Sequence, residues 1–388
     1  MSLLESIRAA RPLRKVVIEH DASAPSLNES LKISDKYDAL VLQANIENWG
    51  SILADFTPKT LMVPLTLEHG SLLLRTYEKL EHAADLVAAA AETYVSTGKT
   101  SKPLDPLENT LLESLGSSIQ RAIDELAGGG NSAGCFMKLS SRSPKDAAAR
   151  SGVFEAYYER AVRAARSESR DMDPGRQLWI LCEAEGAALR FSDAAAVIRA
   201  LVLSERVWQD MTLALRHPET WQQNIILREW EPVPIDLEFR TFVANGRMTA
   251  ISQYAYQLYS ARLNDSAQLH SASTAIRDAF DSLWPILSAN GFTDCVLDFG
   301  VIPPAANDGS WRCTLIEVNP FEETTDGALF SWTRERDVIE GRTDGLGYPV
   351  VRILEARRLG ALAMTPRIWK DVILKVERKL SVDGSTVT

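Results

Sequence analysis

The sequence predicts an α+β fold in which antiparallel hairpins alternate with helices. Three observations carry this. Asn245-Gly246 separates two alternating runs, LEFRTFVA (237–244) and RMTAISQ (247–253), a strong short hairpin signal. CVLDFGV (295–301) and RCTLIEVN (312–319) flank a loop rich in Pro, Asn and Gly and form a second candidate hairpin. Residues 271–290 have the spacing of an amphipathic helix between the two hairpins.

The other elements follow in order. Residues 1–35 are mixed and turn-prone, and nothing in them assigns a role. Tyr37–Leu42 reads as a short strand, and Leu72–Tyr94 as one or two alanine-rich helices. TGKTSKP (97–103) is a polar linker. Asn109–Leu126 reads as a helix ended by the glycines at 128–130. CFMKL (135–139) is a short strand, followed by a polar loop and a helix from Ala147. Phe154–Ala165 is helical, as is Ser192–Leu215 in two pieces, with Ser192 a candidate N-cap. Asn224–Trp230 is an apolar strand ending in charge. After about Gly341 the chain ends in a short strand and a basic helix. No internal repeat is visible. The expected partition is an N-terminal lobe at 1–130, a second subdomain at 131–230 and a third at 231–388.

Hydrophobic residues make up 45% and charged residues 24% of the 388, enough for a sizeable core. The formal net charge of −10 argues against a general nucleic-acid coat or a membrane-surface binder. No apolar run approaches the roughly 20 residues of a membrane span, and the N-terminus turns charged too early for a signal peptide. The expectation is a cytoplasmic protein, or a nuclear one. The four cysteines form no CxxC pair and have apolar neighbours, so buried, reduced thiols are expected rather than a zinc site.

Four constellations hold candidate chemistry. Glu317 and Asn319 share a strand face, and Asp298 lies across from them if the second hairpin forms. Two carboxylates and an amide oxygen would suit Mg²⁺, the alternative being a solvated sheet face. Lys138 sits inside an apolar strand and should meet an anion, either a nucleotide phosphate or a carboxylate. The loop after it adds Ser140, Ser141, Arg142, Ser143 and Lys145, a phosphate cradle or a solvated turn. Glu238 and Arg240 share one face of the first hairpin, as a surface ladder or with Arg240 on a phosphate. Arg228, Glu229 and Trp230 end a strand that either borders an adenine or simply buries a tryptophan.

These segments occur in a recognisable order: KLSSRSPKDA (138–147), LSERVWQDM (203–211), ILREW (226–230), LEFRTFVANGRMTAISQ (237–253), VLDFG (296–300) and LIEVNPFEETTDGALFSW (315–332). Together they resemble the cell division cycle protein 123 family. DFTPKTLMVPL (55–65) and YPVVRI (348–353) resemble it too, so the likeness runs from about Trp49 to about Ile373. The resemblance implies an ATP-grasp fold, two lobes whose antiparallel sheets enclose the nucleotide. It implies ATP and Mg²⁺ as ligands. Lys138, Ser141, Ser143 and Lys145 then match phosphate-side positions and Arg228–Trp230 the adenine hinge. Arg240 matches a phosphate-contacting arginine, with Lys138 and Arg240 as catalytic candidates, and Asp298, Glu317 and Asn319 match metal ligands. Two departures stand out. The loop Ser140-Ser141-Arg142-Ser143-Pro144 replaces the family's Asn-Trp-Ser-Ala-Pro, and Glu317 replaces an aspartate.

Two functions are expected from this. The leading one is an ATP-dependent ligase that joins or activates RNA ends, with Arg142 on the substrate phosphate. The alternative is an ATP-binding assembly factor that holds the gamma subunit of translation initiation factor 2, for which the acidic net charge is better suited.

Overall fold

The computed structural model describes residues 43–82, 106–128, 134–168, 172–304, 309–358 and 360–385. Ala44–Thr388 forms one compact unit. The strand expected at Tyr37–Leu42 and the linker at 97–103 lie outside the described residues, as does any helix beyond His82.

The elements in chain order are β1 (Thr60–Pro64), α1 (Leu67–His82), α2 (Pro106–Ala127), β2 (Cys135–Leu139), α3 (Lys145–Ala148), α4 (Gly152–Ser167), α5 (Pro174–Ala188) and β3 (Arg190–Phe191). Then come α6 (Ala194–Leu203), α7 (Glu205–Ala214), β4 (Asn224–Glu229), β5 (Glu238–Ala244), β6 (Arg247–Gln253) and α8 (Ser266–Ala289). The last are β7 (Cys295–Ile302), β8 (Arg312–Asn319), α9 (Arg336–Ile339), β9 (Val350–Arg352) and α10 (Arg367–Ser385).

The strands form two sheets, a four-stranded one in the order β1-β4-β2-β3 and a five-stranded one in the order β8-β7-β5-β6-β9. All pairings are antiparallel except β6 with β9. The fold is therefore α+β with antiparallel and mixed sheets. Strand β1 pairs with β4, so the first sheet draws on residues from both sides of position 130.

Each sheet buries one face by alternation. In the first sheet, Cys135, Met137 and Leu139 of β2 and Ile225 and Leu227 of β4 pack on α1, α2 and α6. In the second, Phe239, Ile251, Leu297, Phe299 and Val318 pack on Ile276, Leu283 and Leu287 of α8, with Trp49 and Leu53 in the same core. Burying each such side chain contributes about 1.5–3 kcal/mol. A third core joins α4, α5 and α10 through Phe154, Leu181 and Val376.

Both predicted hairpins form. Asn245 (φ 50°) and Gly246 (φ 72°) make the tight turn, both in the left-handed region where Asn and Gly are tolerated best. Helix α8 starts earlier than its periodicity suggested. Asp265 caps it, accepting from the amides of Ala267 at 3.1 Å and Gln268 at 3.0 Å. The cap of α6 is Asp193 rather than Ser192, because its carboxylate accepts from the Ala196 amide at 2.8 Å. Helix α5 was not anticipated, although Asp173 caps it and Pro174 occupies its first turn.

The segment 56–59 bridges the two sheets. The Leu315 amide of β8 donates to the Phe56 carbonyl at 2.7 Å, and the Glu229 amide of β4 donates to the Lys59 carbonyl at 2.8 Å. The uncovered faces of the two sheets meet in this region, and the candidate residues lie there.

Candidate functional site

On β2 the residues facing away from the first core are Phe136 and Lys138, and on β4 they are Ile226 and Arg228. Cross-strand pairing of Lys138 with Ile226 and of Phe136 with Arg228 keeps all four on one face. On the second sheet the face opposite α8 carries Glu238 and Arg240 of β5, Asp298 of β7, and Glu317 and Asn319 of β8. Asp298 is the direct cross-strand neighbour of both Arg240 and Glu317. The same face continues as an apolar cluster of Phe242, Ala250, Val296, Phe330 and Trp332, so the charged patch is bounded on one side.

Lys138 and Glu317 form an ion pair between the two sheets. Lys138 is 3% exposed. Burial would raise the Glu317 carboxyl, but Lys138 and, more weakly, Lys145 and Arg240 hold it below the usual carboxylate range. The buried lysine therefore meets a carboxylate, and that carboxylate is one of the three expected metal-binding groups.

Arg240 grips Asp298 in a two-pronged pair, Nε to Oδ1 at 2.8 Å and Nη2 to Oδ2 at 2.7 Å. Its third prong donates to the Asp326 carbonyl at 2.7 Å and so ties down the loop after β8. Burial works against the arginine's charge, but Asp298 outweighs it and raises the guanidinium above its ordinary value. Asn319 Nδ2 donates to Asp298 Oδ2 at 2.9 Å. That bond turns the amide oxygen of Asn319 away from the Asp298 carboxylate.

Lys145, at the start of α3, donates to the Tyr254 hydroxyl at 3.1 Å. Tyr254 contributes most to raising the lysine, with help from Glu238 and Glu185 against the cost of burial. Glu238 is pushed up to about 7 by burial, with Lys145 pulling the other way. Sequence reasoning missed Tyr254 and Glu185. Tyr254 directly follows β6, at the end of the alternating run, a position from which its ring can face Arg240 at 5.0 Å.

Other expected residues have different surroundings. Arg228 donates to the carbonyls of Ile316 and Leu315 and to the Thr57 hydroxyl, and burial lowers its guanidinium to about 10. It joins the two sheets through these contacts. The amides of Glu229 and Trp230 already donate, to Lys59 at 2.8 Å and to Gly134 at 3.3 Å, so neither is an open donor for an adenine edge.

The loop 140–145 is similarly self-satisfied. Ser140 donates to Glu47, Ser141 donates to Asp210, and Arg142 pairs with Asp210 and donates to the Arg206 carbonyl at 3.2 Å. Ser143 is buried. Asp146 caps α7 from outside, accepting from Ser204 Oγ at 2.6 Å and the Glu205 amide at 2.7 Å. Helix α7 thus holds the loop through Asp210 and Asp146. Arg142 is engaged by α7 through Asp210 and the Arg206 carbonyl.

Among the described residues no group of three or more His, Cys, Asp or Glu could hold a metal ion, and no helix is long and apolar enough to cross a membrane. Cys135 and Cys295 are buried thiols, and none of the four cysteines is paired.

The D123 family model matches residues 177–360, a stretch that contains β4 to β9 and with them Glu238, Arg240, Asp298, Glu317 and Asn319. Over this stretch the chain is similar to the cell division cycle protein 123 family. One relative, cell division cycle protein 123 of Phaeosphaeria nodorum, is 31% identical over 109 residues, covering 28% of this chain and 26% of the relative. The Translation initiation factor eIF2 assembly protein of Schizosaccharomyces pombe is 23% identical over 308 residues, covering 76% of this chain and 77% of the relative. The match to the assembly protein of Kluyveromyces lactis, at 29% identity, spans 39% of each chain. The match thus spans well under half of some curated relatives of the family. The solved structure of Cdc123 from S. pombe aligns with a TM-score of 0.50 at 21% identity, covering 81% of this chain and 97% of that one. The D123 fold is therefore shared.

Proposed function

We propose that this chain is an assembly factor for translation initiation factor 2 that uses Mg-ATP as a ligand held in an ATP-grasp-type cleft between its two sheets. The observation that carries the nucleotide part is the convergence of Lys138, Lys145 and Arg240 with Glu317, Asn319 and Asp298 where the sheets meet. The relatives named as assembly proteins supply the partner.

The residues fit the group. The Glu317 carboxylate and the Asn319 amide carbonyl are hard oxygen donors, the kind that Mg²⁺ takes together with phosphates. Glu317 and Asn319 would face the ion, with Asp298 behind them. The ion, when bound, offsets the negative charge of the phosphates. Lys138 and Lys145 supply point charges, and Arg240, whose fork is held by Asp298, adds positive charge beside them. Tyr254 holds Lys145 in place.

Assembly is favoured over RNA-end joining on a specific observation. The hydroxyls and cation of the 140–142 loop, which would contact an RNA phosphate, are already bound to Glu47 and Asp210. The net charge of −10 also suits a protein partner better than a polyanion.

The test uses the purified full chain with each subunit of translation initiation factor 2, with and without Mg-ATP. The gamma subunit is expected to co-elute, more strongly with Mg-ATP. RNAs carrying each terminal phosphate and hydroxyl are incubated in parallel. Joined RNA that disappears in Lys138→Ala would replace this reading with a ligase.

A further inference from the structure

Among the described residues, the charged groups of the cleft already neutralise one another. Lys138 faces Glu317, Arg240 clasps Asp298, and Lys145 sits among Tyr254, Glu238 and Glu185. The two ion pairs differ in one respect. The side chains of Arg240 and Asp298 are 7% and 2% exposed, whereas Glu317 is 29% exposed opposite a Lys138 side chain that is 4% exposed. Asp298 also accepts three hydrogen bonds, from Arg240 Nε, Arg240 Nη2 and Asn319 Nδ2. One pair is saturated and enclosed, and the other has an open side.

An anion that arrives alone at Lys138 displaces Glu317 and leaves that carboxylate beside the incoming charge with no cation of its own. A cation that arrives alone at Glu317 strands Lys138, which is almost wholly buried. Stranding Lys138 is costly because that charge has lost its solvent, and a freed Glu317 repels the incoming anion. A polyphosphate carrying a divalent cation replaces both partners together, phosphate for Glu317 and metal for Lys138. We propose that the Lys138–Glu317 ion pair is an exchangeable latch that admits a polyphosphate only in company with a divalent cation. Asp298 stays with Arg240 throughout and is a positioning residue. It rests on the nucleotide-binding reading above.

The experiment is calorimetric titration of the full chain with ATP in EDTA and with ATP in excess Mg²⁺. Wild type should bind the magnesium complex at least ~100-fold more tightly, a gap of the size expected when a buried pair has to be broken. Glu317→Gln should bind metal-free ATP ~10-fold more tightly than wild type, because Lys138 is released, and the metal-dependent gap should shrink to about 10-fold or less. The cation side is read without nucleotide, by electron paramagnetic resonance of Mn²⁺. Lys138→Met should bind Mn²⁺ alone ~10-fold more tightly than wild type. The double variant Lys138→Met/Glu317→Gln keeps the contact neutral and controls for folding by its thermal melt.

Wild-type affinity for ATP in EDTA within ~3-fold of that for Mg-ATP overturns the latch and leaves nucleotide binding standing. So does a Glu317→Gln variant that folds and gains nothing for metal-free ATP, or Mn²⁺ binding unchanged in Lys138→Met. No heat and no melting shift with Mg-ATP in wild type overturns the latch together with the nucleotide reading.

Discussion

Lys138 and Arg228 are two cations on adjacent strands of one sheet, on the same face, each 3% exposed. Their surroundings differ. Lys138 meets the carboxylate of Glu317, whereas Arg228 meets the neutral carbonyls of Ile316 and Leu315 and a threonine hydroxyl. Consecutive residues of β8 thus receive the two cations, one through its side chain and one through its backbone. A carboxylate can be displaced by another anion, but a backbone carbonyl in a sheet has nowhere to go. The lysine contact can therefore exchange, while the arginine contact fastens the sheets.

The largest effect expected is on the enclosed pair that both contacts flank. Asp298→Ala strands Arg240 and should cost about 3–5 kcal/mol in urea unfolding. A loss below that of a surface substitution would remove the claim that this pair is structural. Arg228→Met comes next, at about 2–4 kcal/mol, because charged hydrogen bonds to two carbonyls and a hydroxyl vanish. If Lys138→Met in the ligand-free chain destabilises more than Arg228→Met, the contrast is reversed. Partial exposure of Glu317 puts the Lys138→Met loss lower, at about 1–2 kcal/mol.

A third expectation concerns pH. Glu238 is pushed up to about 7 by burial, so the folded chain binds a proton there that the unfolded chain releases near 4.5. Its contribution to stability is full below about 4.5 and is lost as pH rises through about 7. The unfolding free energy of wild type should fall over that window relative to Glu238→Gln. Equal slopes for the two proteins would show that the Lys145 charge fully compensates the carboxylate. The smallest effect is expected for Arg142→Ala, whose ion pair is 39% exposed on the arginine side. It should cost under about 1 kcal/mol and leave Mg-ATP binding unchanged, which separates the loop from the cleft.

Much of this was legible in advance where the signal was local. The β5–β6 turn is written in Asn245-Gly246, and the shared face of Glu317 and Asn319 follows from strand period alone. The register of β7 on β8, which sets Asp298 against Glu317, was conditional on a hairpin that did form. Helix α5 had its signal too, Asp173 before Pro174, but its buried, weakly amphipathic body hid the rest. Tyr254 and Glu185 gave no signal, because each contributes to the cleft only through the packing of elements far apart in the chain.

By itself the sequence determined the alternation, the tight turn and the set of charged side chains that cannot lie in a core alone. Those are properties of a few neighbouring residues, governed by backbone sterics and by the cost of burying charge. Only the tertiary structure decided which opposite group each charge met. Lys138 finds Glu317 across 179 positions of sequence, and Arg228 finds carbonyls where its flanking residues suggested a nucleotide edge. Hydrophobic burial brings the two sheets together without regard to charge, and the polar groups then pair with whatever that packing places within reach.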